Sequence, residues 1–62
     1  MTYAQMLVEM ANAELENAKK ADAKGMQNAY AMSIGIRRGI IIALEAMGAV
    51  PAYDVETGLY HL

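Results

Sequence analysis

Cysteine is absent from the 62 residues, and histidine occurs once, as His61. The first absence excludes disulfides and every thiolate metal site; the second leaves a structural metal without a ligand set, so no cofactor is expected. A chain this short forms one domain, residues 1–62, whose isolated core recovers only a modest share of the surface exposed on unfolding. Small domains compensate with disulfides, a metal or self-association, and only the third is left. An apolar content of 56% with six methionines fits a chain that hides more surface than a lone hairpin can, although methionine also fills irregular gaps in a monomeric core.

Positive charge is scarce as well. Five lysines and arginines stand against seven acidic residues, a net charge of −2 with a pI near 5.1. Generic nucleic-acid binding needs a concentrated basic surface and is not expected. The first residues lack the basic region of an export signal, and Glu9 interrupts the apolar run from Met6 to Met10. Arg37 and Arg38 sit inside the only long apolar stretch, which argues against a membrane span. A soluble, cytoplasmic protein is the expectation.

Catalytic patterns are missing too. Ser33, Asp54 and His61 are the residue types of a hydrolytic triad, but the serine falls mid-helix and no strand-turn-helix elbow presents it. Glu9, Glu14 and Glu16 lack the Glu-x-x-His spacing of bundle metal sites and read as a solvated face. Gly35 and Gly39 lie in a helical run, not in a phosphate-cradling loop. The chain is therefore read as a non-enzyme.

What is present is helical. Thr2 and Gln5 have capping-box spacing, and Met1 and Met6 that of a hydrophobic staple, so a helix begins at Tyr3. A start one residue from the terminus suggests a chain close to complete at that end. Tyr3, Ala4, Leu7, Val8, Met10, Ala11, Leu15 and Ala18 share one arc, opposite Gln5, Glu9, Asn12, Glu16, Lys19 and Lys20. Ala4, Ala11 and Ala18 repeat at seven, leaving room for a close partner helix. Lys19, Lys20 and Lys24 complement the helix dipole near its end, and Gly25 is available for the left-handed cap. The spacing predicts a first helix over about 3–24.

A second helix is predicted over about 26–47, stopped by Gly48 and Pro51. The short connection makes the two antiparallel neighbours. Ile36, Ile40, Leu44, Ala29 and Met47 are expected to face the first helix, with Tyr30, Ile34 and Ile41 needing other cover. A helix apolar nearly all round is normally buried, and one neighbour cannot wrap it. A second copy or the tail, residues 49–62, would supply the rest. In that tail Tyr53 to Tyr60 reads either as a short β-hairpin, with Glu56-Thr57 as the turn and Gly58 as a left-handed bulge, or as an irregular extended segment.

One stripe organises the reading. Ala31, Gly35, Gly39 and Ala43 recur every fourth position and line up on a helix. Each interior glycine costs roughly 1 kcal/mol of helix stability relative to alanine, which close approach of another backbone can offset. These four are the expected helix-packing interface of an all-α, self-associating hairpin bundle. Arg37, Arg38, Tyr30, Tyr53 and Tyr60 are candidate contacts to a partner protein or to an anion, because arginine forks match carboxylate and phosphate and tyrosine rings stack. The plainer reading leaves Arg38 in solvent near Glu45 and lets Arg37 snorkel past Ile34 and Ile41 or pair with a carboxylate such as Glu9, Glu14 or Asp54. Two functions follow: a homo-oligomeric interaction module acting as a regulator or inhibitor of a partner protein, or an oligomer that sequesters a nucleotide or similar anion at subunit boundaries.

Overall fold

Thr2 opens the first helix through its side chain. Its hydroxyl accepts the Gln5 N–H at 3.1 Å, and Gln5 Oε1 accepts the Thr2 N–H at 2.8 Å, pairing donors that a helix start leaves open. In the computed structural model, which describes residues 1–62, the helix that follows is α1, Tyr3–Ala23. The staple does not reinforce it, because Met1 is 84% exposed. At its far end Gly25 takes φ 71°, the Met26 N–H reaches the Ala21 carbonyl at 2.8 Å and the Gly25 N–H reaches that of Asp22 at 3.0 Å. That pairing closes a Schellman turn and reverses the chain within three residues.

The returning helix, α2, spans Gln27–Ala46 and ends the same way. Gly48 adopts φ 77°, and the Ala49 and Gly48 N–H groups reach the Leu44 and Glu45 carbonyls at 3.0 and 2.9 Å. Ala49 is thereby folded back onto Leu44 and packs beside it in the core. The pair forms an antiparallel helical hairpin, as the short Gly25 connection requires.

The tail is the β-hairpin of the two forms expected. Strands β1, Ala52–Asp54, and β2, Leu59–His61, pair antiparallel with Tyr53 opposite Tyr60. Between them runs a four-residue turn closed by the Gly58 N–H on the Asp54 carbonyl at 2.7 Å, with Gly58 at φ 72°. Asp54 Oδ1 also accepts the Glu56 N–H at 2.9 Å, so the aspartate shapes the turn. β2 lies against α1, and β1 is the outer strand.

The core is small. Leu7, Val8 and Leu44 form its centre, with Ala4, Ile40, Ile41, Ala49 and Tyr60 packed around them. Ala11, Ala18 and Ala21 are buried along α1, where the absence of larger side chains lets α2 approach. The face that α2 turns inward differs from the one expected. Leu44 is fully buried and Ile40 and Ala29 half-buried, but Ile36 is 46% and Met47 51% exposed, whereas Ile34 and Ile41 are half-buried. The helix is rotated toward Arg37 because the tail, by presenting Tyr60, draws that side inward.

Only six of 62 residues are buried. A monomeric protein of this mass exposes roughly 3,900 Å² by the usual area scaling, and this chain exposes 4267 Å². Large apolar side chains are exposed on both helices and the tail, among them Met10 on α1, Met32, Ile36 and Ile42 on α2, and Val55 and Leu62 beyond. No helix is long and apolar enough to cross a membrane.

Candidate functional site

Two features are candidates: the outer face of α2 and the latch that holds the tail. The outer face follows from helical geometry. At about 100° per residue, Ala31, Met32, Gly35, Ile36, Gly39, Ile42, Ala43 and Ala46 share an arc of roughly 140° on the side away from Leu44. All eight are exposed, with Met32 at 68% and Ile42 at 59%. Asn28 is the sole polar side chain on the arc, and no charged residue falls within it. A Cβ built on Gly35 or Gly39 meets nothing within 4 Å. Within one chain, therefore, neither glycine contacts α1, and the Ala31, Gly35, Gly39 and Ala43 stripe is open. Arg38 and Glu45, both exposed, border the face on one side.

The latch was not foreseen. Asn12, on the α1 arc expected to meet solvent, is half-buried and grips one residue of β2 at both backbone groups. Its Nδ2 donates to the Tyr60 carbonyl at 3.0 Å and its Oδ1 accepts the Tyr60 N–H at 2.7 Å. Because Tyr60 presents one donor and one acceptor, the orientation of the amide is fixed by its partners. The backbone of Tyr60 is thus turned toward α1, so Tyr53 and Tyr60 form the pair without mutual hydrogen bonds, whose side chains lie closest. Their rings meet edge to face, 5.1 Å between centroids at 62°. A sequence signal existed: asparagine is a poor residue for a helix interior, and one placed mid-helix calls for an offsetting contact.

Arg37 completes the latch. Its Nη1 donates to the Tyr60 hydroxyl, and its Cζ lies 5.8 Å from the ring centroid, at the outer limit for a cation–π contact. The hydroxyl, then, is what it holds, and of the two plain alternatives the carboxylate pairing with Glu9, Glu14 or Asp54 is not made. Its Nε is buried without a partner. Of the residues expected to gather, Arg37, Tyr53 and Tyr60 come together; Arg38 and Tyr30 remain exposed elsewhere on α2. Beside the latch an open groove of about 420 Å³ runs between Gln5, Glu9 and Asn12 of α1 and Tyr60 and His61 of β2, and neither arginine lines it.

No protein-family model matches this chain, nor does any curated protein or solved structure. The site must be read from its own chemistry. No group of three or more histidine, aspartate and glutamate side chains is placed to hold a metal ion. What the arrangement offers is a broad uncharged helix surface on one side and a tail fixed by polar contacts on the other.

Proposed function

We propose that the chain acts as a small non-enzymatic interaction module: it associates with copies of itself, and as a homo-oligomer it serves as a regulator or inhibitor of a partner protein. The observation that carries this reading is the outer face of α2, exposed and free of charge from Ala31 to Ala46 in a chain with only six buried residues. Contiguous apolar surface of this kind marks a contact site in a small protein. The open glycines support close approach of a second backbone, and Met32, Ile36 and Ile42 beside them supply apolar contact, the methionine adaptably.

The anion-binding alternative has less support. Arg37 already donates to Tyr60, Arg38 stands apart from it, and the groove carries Glu9 in place of an arginine. Mass spectrometry under native conditions tests both readings together, because it reports copy number and any retained small molecule. A multiple of 6.7 kDa with nothing retained is expected. A single copy at every concentration refutes self-association, and a retained anion favours the alternative.

A further inference from the structure

We infer that the occupant of the α2 outer face is a second copy of this chain, bound antiparallel with the two-fold axis level with Ile41 and Ile42; this rests on the self-association reading above. Two observations lead there. The first is the exposed surface, larger than a monomer of this mass ordinarily carries, together with the exposed, uncharged arc from Ala31 to Ala46 on this helix. The second is the charge on its border. Arg38 and Glu45 are seven residues apart, so they lie on the same side of the face, about 20° and roughly 10 Å apart.

A two-fold axis perpendicular to both helices brings like borders together, running in opposite directions. Arg38 then meets the border of the second copy that carries the same two charges in reverse order. With the axis between residues 41 and 42, Arg38 stands level with the partner's Glu45, and Glu45 with the partner's Arg38. The same register sets Ile42 beside the partner's Ile42 and Gly39 within one residue of the partner's Ala43, where two small side chains let the backbones close. Full overlap of the two helices would instead place Arg38 about 4.5 Å along the axis from the partner's Arg38, a like-charge contact. Parallel pairing would set Arg38 against the apolar border that carries Ile40 and Met47. Charge therefore selects the shifted antiparallel arrangement.

The absence of cysteine makes the arrangement directly measurable. Gly39→Cys and Ala43→Cys chains, mixed in equal amounts and oxidised, are expected to form the mixed disulfide in preference to either homodimer, since bridging requires Cα atoms within roughly 7 Å. A mixture of Gly35→Cys and Gly39→Cys is the control for full overlap. The new Cβ at either glycine meets open space in the lone chain and Ala43 is exposed, so these variants retain the fold. In parallel, Arg38→Glu or Glu45→Arg alone should raise the dimer dissociation constant roughly 2- to 30-fold, and the double reversal should restore it. A dimer in sedimentation that cross-links through Gly35→Cys and Gly39→Cys, or that the double reversal fails to rescue, overturns the register and leaves self-association standing. A monomer in sedimentation overturns both.

Discussion

Replacing Gly35 and Gly39 with alanine separates a helix face that meets solvent from one that meets another backbone. In the lone chain both added Cβ atoms enter empty space, so the only effect is on the helix itself, where each glycine-to-alanine change contributes about 1 kcal/mol. The pair should stabilise an isolated chain by about 2 kcal/mol. For a domain of this size each kcal/mol moves the melting temperature by roughly 4–8 °C, a rise well outside measurement error. At a helix–helix contact the same methyl groups act the other way, since overpacking costs about 1–3 kcal/mol per site and the sites recur in each copy. The variant should therefore melt higher than the parent when dilute, and its advantage should shrink or reverse as concentration rises. Circular dichroism melts across low-micromolar to near-millimolar protein, with sedimentation velocity on the same samples, read both effects. An equal rise at every concentration, with unchanged mass, refutes the contact-surface reasoning.

Other expectations concern the fold and the latch. Leu44→Ala empties the centre of the core and should cost about 2–5 kcal/mol, enough to bring a domain of this size close to unfolding at room temperature, as chemical denaturation will register. Asn12→Ala leaves both backbone groups of Tyr60 unpaired, a loss of about 1–3 kcal/mol; hydrogen exchange should accelerate across Leu59 to His61 while the amides of α2 stay protected. Tyr60→Phe removes the acceptor for Arg37 but keeps the edge-to-face ring pair, so a loss of about 1.5–3 kcal/mol in urea unfolding is expected. Gly58→Ala forces a side chain into φ 72° and sets its Cβ 3.3 Å from Lys19 Nζ, so the turn should fray, seen as lost protection of the position-58 amide that bonds the Asp54 carbonyl.

The two helices were legible because their boundaries rest on local chemistry. Thr2 with Gln5, Gly25 and Gly48 each act within a few residues, and the same hydrogen bonds appear in the structure. The hairpin was readable in part for the same reason: Gly58 adopts the left-handed conformation its position suggested, but whether the strands hold together depends on what they rest against. What could not be read was the partner of Arg37 and the role of Asn12, because both are contacts across long stretches of chain. Tyr60 lies 48 residues from Asn12 and 23 from Arg37. Polarity alone places Asn12 toward solvent, and helical spacing alone places Ile36 and Met47 in the core. The rotation that exposes Ile36 and Met47 comes from the tail, which periodicity within α2 does not contain. Of the candidate contacts, the stripe was visible as spacing, but its openness emerged only once α1 had been placed on the other side.

The Asn12 amide stands where a third strand would otherwise be, offering β2 one donor and one acceptor from a helix. A single carboxamide thus supplies both backbone contacts of the strand, beside the Arg37 bond to the Tyr60 hydroxyl and the packing of Tyr60 on the core. Slow hydrolysis of that group to a carboxylate would put an oxygen opposite the Tyr60 carbonyl, turning attraction into repulsion at one of its two contacts. The durability of the tail's attachment is in this sense a matter of side-chain chemistry, and an aged sample would hold it more loosely while both helices persisted.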